Sequence, residues 1–161
     1  LHALLKQEGT ESWSKIRDEM GLSMEEGCGI YRTEELMQKT VDKIAELKDR
    51  FKRVSIADQS SVFNTDLLYT IELGHGLDVA DCMAHSALLR RESRGAHQRL
   101  DDGCTERDDV NFLKHSLAFY SPDSTTPRIE YSDVKITTLP PAKRVYGAEA
   151  EAAEKKEKAN G

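Results

Sequence analysis

The sequence predicts a mainly α fold, an antiparallel three-helix bundle of the spectrin-repeat-like kind, followed by a small β-hairpin extension and a charged tail. Apolar residues recur at helical spacing through most of the first 91 residues, with short polar connectors between the periodic stretches. Two later stretches alternate apolar and polar residues, which is typical of strands. The last residues are rich in alanine, glutamate and lysine and offer little to bury.

The first two predicted helices lie before residue 27. Residues 1–8 are typical of the end of a helix that Gly9 terminates, and because no cap precedes Leu1 we expect the sequence to be part of a longer chain. The second helix is predicted for residues 10–26, with Thr10 as its N-cap. Its apolar face consists of Trp13, Ile16, Met20 and Met24.

The third helix, predicted for residues 33–54, has the clearest pattern. Thr33 can cap it, and two glutamates follow at the end of the helix dipole that favours negative charge. A single apolar stripe with coiled-coil-like steps predicts the buried face, on which Leu47 and Phe51 should be buried. The stripe consists of Met37, Val41, Ile44, Leu47 and Phe51.

A long fourth helix is predicted from the N-cap Asn64 to Arg91. The segment Gly74-His75-Gly76 should interrupt it, either by a kink or because another helix packs closely over the glycines. His75 and His85 lie on this helix ten residues apart with no third ligand nearby. We therefore predict no metal site here.

The period of the apolar pattern changes in the last third of the chain. Residues 112–120 and 128–138 predict a hairpin, and the alternation changes phase at Ser132-Asp133, which predicts a bulge or a change of partner. Two strands alone are marginal in water, so we expect the hairpin to pack on the bundle. The predicted division is a helical bundle over 1–108, a β extension over 109–147 and a flexible charged tail over 148–161.

A charged junction, residues 92–109, connects the bundle to the hairpin. It has few apolar residues, so its order must come from hydrogen bonds and ion pairs. One interpretation is a solvated loop whose arginines pair with local acids such as Glu92, Asp101 and Asp108, and exposed pairs stabilise by only about 0–1 kcal/mol. The other is a docking surface for another domain, because arginine has a planar fork suited to carboxylates. The candidate docking residues are Arg94, His97, Arg99 and Arg107.

Composition and motifs exclude several functions. The 161 residues carry a net charge of −6, which argues against a nucleic-acid binder, whose binding face would be basic. No run of about 18 apolar residues is present, so we expect no direct membrane insertion. The sequence has neither a Gly-x-Gly-x-x-Gly motif nor a phosphate-binding loop. Cys28, Cys82 and Cys104 are widely spaced and typical of free thiols, so we assign no catalytic, cofactor-binding or metal-binding residue.

Five segments of the sequence resemble one protein family. Arg91–His97, Glu106–Ala118 and Leu139–Tyr146, in this order and spacing, resemble the C-terminal part of the flavoprotein subunit of fumarate reductase and succinate dehydrogenase. The first reads Arg-Glu-Ser-Arg-Gly-Ala-His and the last Leu-Pro-Pro-Ala-Lys-Arg-Val-Tyr. Asp18–Arg32 and the ending Lys155–Gly161 are similar to the bacterial quinol:fumarate reductase branch in particular.

The resemblance implies that this sequence is the last region of a longer flavoprotein. The family reduces fumarate to succinate in anaerobic respiration, with electrons from menaquinol that pass through an iron–sulfur subunit to covalently bound FAD. The implied partners are the flavin domain of the same subunit, the iron–sulfur subunit and, indirectly, the membrane anchor subunits. The implied location is the cytoplasmic side of the bacterial inner membrane. The family's catalytic and flavin-linking residues lie upstream of this region, so we expect this sequence to bind no cofactor and to be inactive alone.

Two other interpretations stay open at this point. An L-aspartate oxidase shares the flavoprotein ancestry and a similar Glu-Ser-Arg-Gly segment, found here at 92–95. A stand-alone helical module that binds partners through its bundle is the other. The run from Asn111 to Ala118 and the Pro-Pro-Ala-Lys-Arg-Val-Tyr segment favour fumarate reductase, and the uncapped start at Leu1 argues against a stand-alone module.

Overall fold

The computed structural model describes residues 2–142 and Gly147. Its helices are α1 (His2–Leu5), α2 (Trp13–Cys28), α3 (Glu34–Phe51) and α4 (Thr65–Leu89). Its strands are β1 (Tyr31–Arg32), β2 (Gln98–Arg99), β3 (Lys114–Phe119) and β4 (Arg128–Asp133). The predicted charged tail, 148–161, lies outside the described residues.

The predicted mainly α fold is confirmed, with α2, α3 and α4 packed as an antiparallel bundle. Ion pairs define the directions of the helices. Arg50 near the end of α3 contacts Glu19 in α2 at 2.7 Å and Glu11 just before α2 at 3.0 Å. Arg91, just after α4, contacts Glu34 at the start of α3 at 3.1 Å. α3 therefore runs opposite to α2, and α4 runs opposite to α3.

The N-caps predicted for α3 and α4 are confirmed. The Thr33 hydroxyl accepts from the Leu36 N–H at 3.2 Å, and the Asn64 side chain accepts from the Leu67 N–H at 2.8 Å. Both bonds satisfy first-turn N–H groups that have no partner within the helix. α3 ends at Phe51, short of its predicted end, because the chain that follows pairs with the extended segment before α2.

α2 begins after Ser12, not after the predicted cap Thr10. The cause is a tertiary contact. The Glu11 N–H donates to the Arg53 carbonyl at 3.1 Å, and the Glu11 carbonyl accepts from the Ser55 N–H at 3.1 Å. These bonds hold Glu11 extended beside the chain that follows α3, so the helix cannot start earlier.

The predicted interruption of α4 at Gly74-His75-Gly76 is wrong, since the helix continues unbroken through these residues. The glycines instead serve close packing. A Cβ atom on Gly74 would lie 3.0 Å from the Cζ atom of Phe51, and one on Gly76 would lie 3.7 Å from the Cε atom of Met20. The two glycines therefore admit side chains of α3 and α2 close to the backbone of α4.

The core of the bundle is formed by the three long helices and the segment after α3. Leu47 is fully buried, as predicted. Phe51 is only half-buried, contrary to the prediction, because it is the last residue of α3 and packs at the margin of the core cluster. The central cluster consists of Ile16, Ile44, Leu47, Val54, Leu73, Leu77 and Ala80.

β3 and β4 form an antiparallel hairpin, as predicted, with both strands shorter than expected. β4 keeps β3 as its partner up to its last residue, Asp133, so the phase change at Ser132-Asp133 marks the end of the strand. Neither the predicted bulge nor the alternative, a change of partner, occurs within β4. The hairpin contacts the end of α4, where the Tyr131 hydroxyl donates to the Leu89 carbonyl at 3.4 Å.

β1 and β2 form a two-residue parallel pair that the sequence did not predict. The Gln98 N–H donates to the Ile30 carbonyl at 3.1 Å, and the Leu100 N–H donates to the Arg32 carbonyl at 2.8 Å. This pair holds the junction, 92–109, against the connection between α2 and α3. Two-residue strands are too short to show an alternating pattern, so the sequence carries no signal for them.

Candidate docking surface

The junction folds as a layer over the start of α3 and the end of α4. Its backbone turns tightly at Gly95, whose φ of +59° favours glycine. On either side of the turn, the Arg94 N–H donates to the His97 carbonyl at 2.8 Å and the His97 N–H donates to the Arg94 carbonyl at 3.0 Å. The turn exposes Gly95 and Ala96, while the flanking side chains fold back toward the bundle.

Glu92 is the electrostatic centre of the junction and is fully buried. Arg94 binds its carboxylate with both nitrogens of its fork, Nε to Oε1 at 2.8 Å and Nη2 to Oε2 at 3.0 Å. Arg90 Nε donates to Oε1 at 2.9 Å, and the Asp108 N–H donates to Oε2 at 2.8 Å. Such complete pairing is what a buried carboxylate requires, because burial otherwise disfavours its charged form.

Arg99 is also buried, so the expectation of exposed ion pairs is wrong for Arg99 and for Glu92. Arg99 Nη1 donates to the carbonyls of Leu88 at 3.3 Å and Arg90 at 3.2 Å, at the end of α4. The guanidinium therefore satisfies free carbonyls at the negative end of the α4 dipole, where a cation is stabilising. The sequence pattern gave no sign that a helix end lies against this residue.

Asp101 links this cap to α3. Its Oδ1 accepts from the Glu34 N–H at 2.8 Å and its Oδ2 accepts from Arg99 Nε at 2.5 Å. Burial raises the pKa of Asp101, but the bonds from Glu34 and Arg99 outweigh burial and lower this pKa overall. Arg99 Nη2 lies 3.8 Å from Glu34 Oε2, and it is buried without a hydrogen bond among the described residues. The Arg99–Asp101 ion pair thus joins the end of α4 to the start of α3.

His97 is half-buried and neutral. Arg32 Nη1 can only donate, so the His97 Nδ1 atom, 2.9 Å away, is the acceptor. The Nε2–H group then donates to the Arg90 carbonyl at 2.9 Å. Burial lowers the pKa of His97, and the nearby guanidinium groups of Arg32, Arg99 and Arg90 act in the same direction. A neutral imidazole with both nitrogens occupied offers no charge to a docking partner.

Arg94 and Arg107 reach the surface together. Both contact Asp109, Arg94 Nη2 at Oδ1 and Arg107 Nη2 at Oδ2, each at 2.7 Å. The hydrogen bond from Arg94 lowers the pKa of Asp109, and the charge of Arg107 acts in the same direction. The side chains of Arg94 and Arg107 are 26% and 27% exposed. Of the four candidate docking residues, these two have accessible charge, whereas Arg99 is buried and His97 is neutral.

Arg32 and Arg90, which the sequence did not single out as site residues, organise the junction from the ends of α2 and α4. Arg32 donates to the Gly29 carbonyl at 2.6 Å and to the Cys28 carbonyl at 2.9 Å, at the end of α2. Arg90 reaches from the end of α4 to the hairpin, where its Nη1 donates to the Ser116 hydroxyl at 3.1 Å. Their positions in the sequence could have identified them, because each arginine follows the C-terminal end of a helix. Basic side chains at such places often donate to the free carbonyls of the last turn.

A groove of about 520 Å³ lies beside the junction, between α4 and β3, and we call it the α4–β3 groove. Arg32 and Arg90 line one end, but their guanidinium nitrogens already donate to the groups described above. The rest of the wall is largely apolar and includes Val79, Met83 and Ala118. The groove is therefore suited to binding apolar surface.

Other potential sites are structural. No group of three or more His, Cys, Asp or Glu side chains that could hold a metal occurs among residues 2–142. The three cysteines are free, and burial raises the pKa of Cys28 and of Cys82, which disfavours the reactive thiolate. His85 Nδ1 lies 2.9 Å from a carboxylate oxygen of Asp81. In the described part of the chain, no helix is both long and apolar enough to span a bilayer.

Comparisons with known sequences identify the family. Residues 17–146 match the family model described as fumarate reductase flavoprotein C-term. Over its whole length, the chain is 81% identical to the fumarate reductase flavoprotein subunit of Serratia sp. (strain ATCC 39006) and 77% identical to that of Escherichia coli (strain K12). It spans 27% and 28% of the lengths of these two relatives.

Solved structures agree with the sequence comparisons. A variant E. coli quinol fumarate reductase flavoprotein matches 90% of this chain with a TM-score of 0.85 and 79% identity, and the match covers 25% of that protein. An adenylylsulfate reductase from Archaeoglobus fulgidus, at 16% identity and a TM-score of 0.68, shares the fold. These matches favour fumarate reductase over the L-aspartate oxidase and stand-alone alternatives. The chain belongs to the fumarate reductase and succinate dehydrogenase flavoprotein family, and it matches the C-terminal region of that family.

Proposed function

We propose that this chain is the C-terminal helical domain of a fumarate reductase flavoprotein subunit, where it supports the flavin domain and subunit assembly. The observation that carries the proposal is the match of the whole chain to fumarate reductase flavoprotein subunits, of which it spans about a quarter. The site geometry supports a binding role, because the junction holds paired arginines and a neutral histidine and no free acid–base pair. The domain therefore contributes contacts and leaves the chemistry to the rest of the subunit.

The proposal extends to the complete subunit. That subunit carries covalent FAD and reduces fumarate to succinate with electrons from menaquinol, in anaerobic respiration. Its partners are the iron–sulfur subunit and, indirectly, the membrane anchor subunits, at the cytoplasmic side of the bacterial inner membrane. A solved quinol–fumarate reductase with menaquinol molecules, 78% identical to this chain, supports the quinol as electron donor. Within this domain, 1–108 forms the bundle, 109–147 the β extension and 148–161 the tail.

The surface cations of the junction are the proposed contact with the flavin domain. Arg107 is the best probe, because it contacts Asp109 at the surface, whereas Arg94 also binds the buried Glu92. An exposed pair of this kind contributes only about 0–1 kcal/mol to the fold. When a partner covers it, the loss of water strengthens charge-assisted hydrogen bonds. Arg107 should therefore matter more to assembly than to folding.

The experiment makes Arg107→Ala in this chain and at the matching position of the full-length Serratia subunit. We expect the melting temperature of the chain to stay nearly unchanged, while the full subunit loses bound flavin or fails to assemble with its iron–sulfur subunit. Arg53→Ala is the matched control. Arg53 is 53% exposed, pairs with Asp49, and lies just after the C-terminal end of α3, far from the junction at the start of that helix. Equal losses for both variants in the full subunit would contradict a docking role for the junction.

A further inference from the structure

β3 has one edge paired with β4 and a second edge that is free of a strand in the described part of the chain. The backbone contacts of Lys114 show which residues of β3 direct their N–H and C=O groups toward the free edge. Its N–H donates to the Phe112 carbonyl at 2.7 Å, and its carbonyl accepts from Arg90 at 3.2 Å. Residues facing the partner and residues facing away alternate along an antiparallel strand. Ser116 and Ala118 therefore direct their backbone N–H and C=O groups away from β4.

The same two residues line the α4–β3 groove, whose lining includes no residue of β4. The groove therefore lies on the free-edge side of β3. Ser116 and Ala118 have small side chains, which leaves the space open, and the opposite wall is α4. There Val79 and Met83, one helical turn apart, are 58% and 53% exposed. An open backbone edge thus borders an exposed apolar wall.

We propose that the α4–β3 groove and the free edge of β3 form a strand-addition site for an extended segment of the flavin-carrying part of the subunit. This inference rests on the proposed function, which supplies that part. Backbone hydrogen bonds to Ser116 and Ala118 hold the added strand, and every second side chain of that strand packs on Val79 and Met83. The recognised chemistry is an uncharged strand with an apolar residue at alternate positions.

Two features select an extended strand from the flavin-carrying part over other occupants. A free strand edge offers unpaired N–H and C=O groups, which only another extended backbone can satisfy in register. A two-stranded hairpin is marginal in water, and a third strand stabilises it. The flavin-carrying part is the favoured source because the relatives extend well beyond this chain, which spans 27% of the Serratia subunit. The arginines that line the groove are already paired, so the site attracts no free anion.

The test uses the full-length Serratia subunit, with substitutions at the positions that match this chain. Val79→Asp adds a carboxylate to the apolar wall of the groove. Val62→Asp is the matched control, because Val62 is 67% exposed and lies in the α3–α4 connector outside the groove. In the full-length subunit we expect Val79→Asp to speed the exchange of the amides that match Ser116 and Ala118 at least about tenfold, and Val62→Asp to leave it unchanged.

Amide hydrogen exchange supplies a readout that does not depend on any variant. In the full-length subunit, the amides that match Ser116 and Ala118 should exchange at least about tenfold more slowly than in this chain alone. If these amides exchange equally fast in both, or if Val79→Asp leaves their protection as intact as Val62→Asp does, the strand site is overturned and the proposed function stands. The proposed function is tested separately by Arg107→Ala. Protection of the same amides in a dimer of this chain alone would assign the edge to a second copy and overturn the proposal.

Discussion

Replacing Glu92 with glutamine removes the charge at the centre of the junction and keeps the size of the side chain. An amide has one oxygen, so the donors that face its nitrogen lose their acceptor. If the nitrogen takes the Oε2 position, these donors are Arg94 Nη2 at 3.0 Å and the Asp108 N–H at 2.8 Å. If it takes the Oε1 position, they are the Nε atoms of Arg90 and Arg94, at 2.9 and 2.8 Å. Arg90 Nη2 also lies 2.7 Å from Oε1, so either orientation orphans at least two donors.

The size of the effect follows from the burial of Glu92. Its side chain is 0% exposed, so water cannot replace the lost acceptor. Hydrogen bonds to charged groups contribute about 1.5–3 kcal/mol each, which gives about 3–6 kcal/mol for two bonds. Arg94 is 26% exposed and keeps its bond to Asp109, so it recovers part of this loss. We therefore expect Glu92→Gln to lower the free energy of unfolding by about 3–5 kcal/mol, as when a buried ion pair is broken.

Urea unfolding monitored by the helical circular dichroism signal measures this difference. Asp102→Asn is the control, because Asp102 is an exposed acid in the same junction and its replacement should change stability by less than about 0.5 kcal/mol. A loss below about 1 kcal/mol for Glu92→Gln would refute the buried ion-pair account. The junction would then behave as the set of surface pairs that its composition suggests.

Two further predictions concern pH and cofactor binding. Hydrogen bonds from Arg50 and Lys43 lower the pKa of Glu19 from 4.5 to about 2. The stability that ionised Glu19 provides is therefore present above pH 4.5 and is lost as the pH falls toward 2, so Glu19→Gln should flatten the acid limb of a stability–pH curve; an unchanged curve would contradict the pairing. The chain alone should neither bind FAD nor reduce fumarate, because it contains no phosphate-cradling glycine motif. A flavin titration with micromolar affinity, or turnover above background in a viologen-coupled assay, would contradict this expectation.

The sequence predicts the parts of the fold that are specified locally. Thr33 and Asn64 cap their helices through bonds to N–H groups three residues later, so the cap and its partner lie in one short window. The periodic stripes identify α3 and most of α4 for the same reason. The start of α2 is set by Glu11, which bonds to Arg53 far along the chain. No local sequence pattern reveals that contact. It outweighs the capping propensity of Thr10, so the helix begins after Ser12.

The sequence locates the arginines of the junction but not their depth. Arg99 and Arg107 have similar charged neighbours in the sequence, yet one is buried and the other reaches the surface. The difference arises because Arg99 lies in β2, whose pairing with β1 holds it against the last carbonyls of α4. The burial of such an arginine depends on where the neighbouring helix ends in space. The position of that helix end depends in turn on the packing of the whole bundle.

The ion pairs of the junction form two layers that share one residue. In the inner layer, Glu92 is buried and bound by Arg90 and Arg94. In the outer layer, Asp109 is 37% exposed and bound by Arg94 and Arg107. In the docking role proposed above, a carboxylate from the partner replaces Asp109 on the two outer guanidinium groups and leaves the inner bonds to Glu92 in place. Docking and folding are then separable at this surface, which is why Glu92→Gln tests the fold and Arg107→Ala tests the assembly.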